Sequence, residues 1–173
     1  GQSDADEAER VLEKGVELGL TFFDCANVYG FNDDGTQRGS SEQVLARVLK
    51  RHRDDLFISS KVFSSIGDGP NDRGSSRYHI MREIDRSLSR LETDHLDVYI
   101  LHGWDESTPL EETMRALDDL VTAGKTRYVG VSNFQAWQVC RSLWLSERLD
   151  STPFTCVQNN YSLLNRSMDR EMF

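Results

Sequence analysis

Polar side chains suited to acid–base chemistry directly follow short apolar stretches of this 173-residue sequence. The first stretch, at positions 19–30, reads GLTFFDCANVYG: an apolar run ends on Asp24, and Tyr29 lies in the polar loop that follows. The same change from apolar to polar residues recurs at Lys61, His102, Ser132-Asn133 and Gln158. A carboxylate, a phenol, an ammonium and an imidazole are the groups that proteins use for proton transfer.

Each of these residues also has a purely structural interpretation when it is considered alone. An Asp at the end of a strand often caps the next helix, and a Lys at the same place often extends into solvent. A single His is more often a hydrogen-bonded core residue than a catalyst, and Asn133 is also a suitable cap for the helix after it. The functional interpretation therefore requires that the fold bring the residues together.

Strands and helices alternate along the chain. Short apolar runs predict strands over residues 20–24, 56–60, 96–101, 128–131 and 154–157, and apolar residues at helical spacing predict a helix before each of them. The last of these helices has an apolar face of Trp137, Cys140 and Leu143-Trp144, which we expect to face the core.

The spacing of the strand ends indicates how the strands are connected. Measured from Asp24 through Lys61, His102 and Ser132 to Gln158, consecutive ends are 37, 41, 30 and 26 residues apart. These spacings are typical of right-handed βαβ units, in which ligands bind at the carboxyl ends of parallel strands. A doubly wound sheet would require a glycine-rich phosphate-binding turn, and neither GxGxxG nor GxxxxGK[ST] occurs. We therefore predict one α/β domain over residues 1–173 and prefer a parallel barrel of the TIM type to a doubly wound sheet.

A shared rim gives the four ionisable residues a coherent chemistry. An ammonium at Lys61 stabilises the phenolate of Tyr29, and Asp24 keeps that ammonium charged and oriented. Tyr29 then acts as a general acid, and His102 polarises a substrate carbonyl. Hydrogen-bonding groups that suit a planar carboxamide, such as that of nicotinamide, are present at Ser132, Asn133 and Gln158.

Composition limits the classes of partner. The chain has 20 basic and 29 acidic residues and a net charge of -9, which disfavours binding to nucleic acid or to an anionic membrane. No stretch has transmembrane length or resembles a secretion signal. Its three cysteines are odd in number and lack CxxC spacing, so we predict reduced core thiols, no metal site and a cytoplasmic protein, with oligomerisation left open.

The sequence resembles the aldo-keto reductase family over nearly its whole length. The similar segments, in the family's order, are FFDCANVYG, LFISSKV, SLSRLETDHLDVYILHGWD, GKTRYVGVSNF and CVQNNYSLLNR. The loop GDGPNDRG, which leads into SRYHI, is more similar to the branch of potassium-channel β-subunit-like and bacterial reductases than to steroid and aldose reductases.

The resemblance implies a (β/α)8 barrel that reduces small aldehydes or ketones by hydride transfer from NADPH, without a metal. It places the family's catalytic tetrad on Asp24, Tyr29, Lys61 and His102. It places the clamp for the nicotinamide amide on Ser132, Asn133 and Gln158.

Against the family pattern, the chain is expected to cover about strands two to six. The strands ending at Asp24 and Gln158 should then be the edges of an open, curved parallel sheet. Two functions remain open. One is an NADPH-dependent carbonyl reductase with Tyr29 as proton donor, and the other is a cofactor-binding, redox-sensing or regulatory subunit with little turnover.

Overall fold

The computed structural model describes residues 5–30 and 38–173, in which helices and strands alternate. The helices are α1 (Ala5–Glu17), α2 (Ser40–His52), α3 (Arg77–Leu91), α4 (Leu110–Thr122) and α5 (Ala136–Leu149), with short 3-10 turns at Arg53–Asp55 and Ser167–Arg170. The strands are β1 (Phe22–Asp24), β2 (Phe57–Val62), β3 (Leu96–Leu101), β4 (Thr126–Ser132) and β5 (Cys156–Gln158). Within these two ranges, no helix combines the length and apolar character needed to cross a membrane.

All strands belong to one sheet with the order β1-β2-β3-β4-β5, and every neighbouring pair is parallel. This order confirms that the strands ending at Asp24 and Gln158 are the two edges. Because the strands are parallel and in sequence order, their carboxyl ends form one continuous rim. The predicted functional residues therefore lie on the same side of the sheet.

Backbone hydrogen bonds continue the sheet beyond the strand ends and into the loops of the rim. The continuing bonds are Cys25 N–H to Ser59 O (3.0 Å), Asn27 N–H to Lys61 O (3.3 Å), His102 N–H to Val62 O (2.9 Å) and Asn133 N–H to Gln158 O (3.3 Å). The loop residues are thus positioned by the register of the strands, as well as by their own side chains.

The sheet curls strongly. Neighbouring strands lie about 4.8 Å apart, so the edges of a flat five-stranded sheet would be separated by roughly 19 Å. Here the Nε2 of Gln158, at one edge, lies 3.2 Å from Oδ2 of Asp24, at the other. The five strands therefore form a half-barrel, which confirms the predicted partial (β/α)8 architecture.

The helices cover the outer face of the half-barrel, and most of the core lies between the two layers. Large side chains in this layer, such as Ile84, Leu117 and Tyr99, are completely buried. The concave face is more open: Phe22 is 53% exposed and Tyr128 is 50% exposed, and both line a hollow of about 310 Å³.

The predicted apolar stripe of α5 does not face the core. Trp137 is 51% exposed and Trp144 is 55% exposed. The buried face instead carries Gln138 and Ser142, whose polar groups are satisfied within the helix: Gln138 Oε1 accepts from the Gln135 N–H (2.8 Å), and Ser142 Oγ donates to Gln138 O (2.8 Å). Because local hydrogen bonds remove the penalty for burying polar groups, the apolar pattern alone identified the wrong face.

The prediction that all three cysteines are core thiols is correct only for Cys25. Cys140 and Cys156 are exposed, and all three are free thiols. Cys140 shares the outward face of α5 with the tryptophans, and Cys156 lies on the edge strand, where no further strand of the described chain covers it.

Candidate active site

The central group of the rim is the ammonium of Lys61, whose side chain has no exposed surface. Its Nζ donates to Asp24 Oδ2 (2.5 Å) and to the Cys25 carbonyl (2.9 Å), and lies 4.6 Å from the centroid of the Tyr29 ring. These three contacts match the three N–H donors of an ammonium. Lys61 is therefore an internal, paired cation and not a strand end that extends into solvent.

Asp24 joins both edges of the half-barrel to this cation. Its Oδ1 accepts a short hydrogen bond from Ser59 Oγ, while Oδ2 accepts from Lys61 and from Gln158 Nε2. The residue at the N-terminal cap of the next helix is Gly39, and no side chain in the described part of the chain caps that end. The interpretation of Asp24 as a helix cap is therefore wrong.

Tyr29 and His102 meet above Lys61. The Tyr29 hydroxyl lies 3.2 Å from His102 Nε2, and the two rings pack edge to face with centroids 5.5 Å apart. Tyr29 is 38% exposed, so the hydroxyl is accessible to a ligand. Lys61 approaches the ring of Tyr29, and among the described residues only His102 forms a hydrogen bond with its hydroxyl.

The surroundings of His102 favour its neutral form. Burial lowers the pKa of the imidazole, and the positive charge of Lys61 lowers it further, against a smaller opposing effect of Asp24. The buried Nδ1 has no hydrogen-bond partner in the described part of the chain. A neutral imidazole carries one N–H, and Nε2 is the ring nitrogen that faces the Tyr29 hydroxyl.

The loop that carries Tyr29 is held at both ends by backbone contacts. The Asn27 N–H donates to the Lys61 carbonyl (3.3 Å), and the Ser41 N–H, in the first turn of α2, donates to the Tyr29 carbonyl (3.3 Å). Gly30 follows with φ of 78°, and a Cβ there would lie 2.9 Å from the Ser41 nitrogen. The close approach of loop and helix therefore requires glycine at this position.

The three remaining predicted residues lie at the ends of β4 and β5. Asn133 has a left-handed backbone (φ 59°), and its Nδ2 donates to the His102 carbonyl (2.9 Å) and to Ser132 Oγ (3.1 Å). Helix α5 begins later and is capped by Gln135, so the interpretation of Asn133 as a helix cap is wrong. Its observed structural role is to connect the end of β4 to the end of β3.

The chemistry of Ser132, Asn133 and Gln158 fits a primary carboxamide. Such a group needs acceptors for two N–H bonds and a donor for its oxygen. Asn133 Oδ1 accepts no hydrogen bond from the described residues, and Asn133 and Gln158 are both exposed on the rim. The Ser132 hydroxyl lies beside them and provides a donor. The residues present therefore suit the amide of a nicotinamide.

Two residues that organise the rim were not predicted from the sequence. Ser59 holds the second oxygen of Asp24, and Asn27 links the Tyr29 loop to β2 through its backbone and to α3 through its side chain, which donates to Glu83 (3.2 Å). Ser59 was detectable, because residues two apart on a strand share a face, and Lys61 lies two residues later. The role of Asn27 had no comparable local signal.

Comparison with known proteins matches residues 1–173 of the chain to the model of the aldo/keto reductase family. The chain belongs to this family. This aldo/keto reductase chain is 35% identical to the uncharacterized oxidoreductase YrpG of Bacillus subtilis (strain 168), covering 98% of the chain and 54% of that relative. It is also 35% identical to the L-glyceraldehyde 3-phosphate reductase of Escherichia coli (strain K12), covering 98% and 49%.

A third relative is named as a subunit of an ion channel. The chain is 35% identical to a probable voltage-gated potassium channel subunit beta of Arabidopsis thaliana, covering 95% of the chain and 49% of the relative. Together with the bacterial oxidoreductases, this match confirms the branch that the loop sequence suggested. The aldo/keto reductase chain spans about half the length of the curated relatives that it matches.

The neutral state of His102 predicts a pH dependence of stability. An unfolded His has a pKa of about 6.5 and binds a proton more readily than the buried one. The free energy of unfolding should therefore fall as the pH is lowered below about 6.5, and His79, whose pKa is also lowered by burial, contributes with the same sign. In His102→Gln this fall should be smaller. Urea denaturation of the two proteins between pH 5 and 8 measures it, and identical slopes would contradict the assignment.

Proposed function

We propose that the protein reduces aldehydes or ketones to alcohols with NADPH, and that Tyr29 donates the proton. The observation that carries this proposal is the convergence of the Tyr29 hydroxyl and His102 Nε2, 3.2 Å apart, over the ion pair that the buried Lys61 forms with Asp24. Membership of the aldo/keto reductase family supports the same class of reaction.

Three side chains account for the transfer of the proton. NADPH, when bound, supplies the hydride to the carbonyl carbon. Tyr29 donates its hydroxyl proton to the carbonyl oxygen, which leaves a phenolate. Lys61, 4.6 Å from the ring centroid, stabilises the negative charge that develops on Tyr29, and Asp24 holds Lys61 in place.

His102 orients the substrate and does not compete for the proton. Because its pKa is lowered, the imidazole is neutral near pH 7, and it donates a hydrogen bond to the carbonyl oxygen when the proton is on Nε2. An oxygen bound between Nε2 and the Tyr29 hydroxyl contacts both donors at once, since the two atoms are only 3.2 Å apart. The same pair of contacts places the carbonyl for transfer.

Ser132, Asn133 and Gln158 hold the carboxamide of the cofactor in this proposal. Asn133 is hydrogen-bonded to the His102 carbonyl, so the clamp is connected directly to the strand that ends at the substrate-binding imidazole. This connection fixes the bound ring relative to the carbonyl, and the reaction depends on that distance.

The similarity to plant potassium channel beta subunits favours a second candidate function, a cofactor-binding regulatory subunit with little turnover. The two candidates share the cofactor site and differ in the rate of the chemical step. NADPH oxidation measured with a panel of aldehydes, together with NADPH binding measured by fluorescence, separates them. Binding with steady turnover supports the reductase, and binding with almost no turnover supports the regulatory subunit.

The role of Tyr29 predicts the result of a single-atom change. A general acid contributes about 10² to 10⁴-fold, so Tyr29→Phe should lower kcat for carbonyl reduction by that factor and leave the Kd for NADPH nearly unchanged. Tyr128→Phe is the control, because Tyr128 is also exposed on the half-barrel but lies near the start of β4. A Tyr29→Phe variant with the kcat of the native protein would exclude Tyr29 as the proton donor.

If Ser132, Asn133 and Gln158 hold the carboxamide, loss of the Asn133 amide should weaken NADPH binding by more than any loss of protein stability explains. Asn133→Gly removes the amide and retains a residue that tolerates the left-handed backbone. Loss of one hydrogen bond of about 1.4 kcal/mol should raise the Kd for NADPH about tenfold. Asn159→Ala is the matched control, since among the described residues the Asn159 amide forms hydrogen bonds only with the Phe134 backbone. A fluorescence titration well below Tm checks both variants, and an unchanged Kd in Asn133→Gly would show that Asn133 only connects strands.

A further inference from the structure

A second buried charge lies on the helix side of β2, behind the rim. Glu42, in the first turn of α2, has no exposed surface. Its Oε1 accepts a hydrogen bond from Ser60 Oγ (2.5 Å) and its Oε2 from Arg90 Nε (2.5 Å). We refer to Glu42, Ser60 and Arg90 as the Glu42 cluster. Because a carboxylate loses its hydration on burial, these two donors are what make its position tolerable.

The Glu42 cluster holds β2 at the residue next to Lys61. Successive side chains of a strand point to opposite faces, so Ser60 points to the helix layer while Lys61 points to Asp24 on the concave side. The hydrogen bond from Ser60 to Glu42 therefore fixes β2 from the face opposite Lys61.

The helix turn that carries Glu42 also holds the loop of Tyr29. Ser41, the residue before Glu42, donates its N–H to the Tyr29 carbonyl (3.3 Å) and its hydroxyl to the Ala26 carbonyl (3.4 Å). This turn therefore holds residues 26–29, the segment that contains Tyr29, at both of its ends. Glu42 links that turn to β2 on one side and to α3 on the other.

The packing around Arg90 leaves little space at the start of α2. Gly39 precedes α2 with φ of 81°, and a Cβ at this position would lie 2.5 Å from Arg90 Nε. A side chain at Gly39 would therefore displace the Arg90 guanidinium from the position in which it contacts Glu42. These contacts fix the start of α2 against α3 and β2 together.

We propose that Glu42 is a positioning residue for the proton-transfer site: through its contacts with Ser60 and Arg90 it holds the Tyr29 loop at its distance from Lys61. The proposal rests on the proposed function, since it assigns Glu42 a part in the transfer from Tyr29. Glu42 does not contact the reacting groups. Its effect passes through the backbone of the Tyr29 loop and of β2.

Two variants separate positioning from stability. In Glu42→Gln the amide oxygen can still accept from Ser60, but the amide N–H₂ opposes Arg90 Nε–H, so the turn is displaced. In Glu42→Leu with Arg90→Met, neither charge is left without its partner, and much of the stability should return while the link to Ser60 remains lost. Urea denaturation of the native protein and both variants gives the stability of each.

Two quantities are measured for each variant: kcat at saturating NADPH, and the solvent deuterium isotope effect on kcat. The isotope effect reports how far proton transfer limits the rate. We expect both variants to lower kcat about 10 to 100-fold, to raise the isotope effect and to keep the Kd for NADPH within about twofold of native. If a variant only contained less folded protein, the apparent kcat would fall in proportion to the folded fraction, and the isotope effect would stay unchanged. If Glu42→Gln does not fold, the double variant decides.

Native kcat and native isotope effect in the double variant, or in a folded Glu42→Gln, would overturn the positioning role. Tyr29→Phe, assayed in parallel, distinguishes this failure from failure of the proposed function. A low rate in Tyr29→Phe with native rates in the Glu42 variants refutes only the positioning role. A native rate in Tyr29→Phe refutes the proposed proton donor.

Discussion

The rim depends on the burial of one ammonium. Lys61 has no exposed surface, and a charge removed from water is tolerated only when it is paired and its donors are satisfied. Asp24, on the neighbouring strand, and the Cys25 carbonyl provide two of these contacts, and the ring of Tyr29 provides the third. The need to satisfy Lys61 therefore brings together the ends of β1 and β2 and the loop after β1, which are the parts that place the hydroxyl of Tyr29.

The curl of the sheet brings β5, at the far edge, close to Asp24 and Lys61. Gln158 reaches Asp24 across the concave face, and Asn133 connects the ends of β3 and β4 through the His102 carbonyl. The strand register fixes positions along the rim, and the curl brings the rim's two ends together. The chain spans about half the length of its matched relatives, and its five strands form part of the family's barrel.

The sequence predicted the features that follow from local patterns. Apolar runs ending on Asp24, Lys61 and His102 predicted the strands, and the spacing of these residues predicted a parallel sheet with one functional rim. It could not predict contacts that depend on curvature, such as Gln158 with Asp24. Nor could it reveal Glu42 as a buried charge, because an acidic residue in the first turn of a helix is also what the helix dipole favours.

The proposed reduction of a carbonyl at this rim depends on the charge of Lys61. The most direct measurement is single-turnover transfer of deuterium from NADPH, deuterated at both C4 positions, to an aldehyde, by the native protein and by Lys61→Met. We expect the native protein to deliver the label to the alcohol carbon and Lys61→Met to do so about 10² to 10³-fold more slowly, because the charge proposed to stabilise the Tyr29 phenolate is lost. Transfer at the same rate by both proteins would show that the charge of Lys61 does not contribute to the reaction.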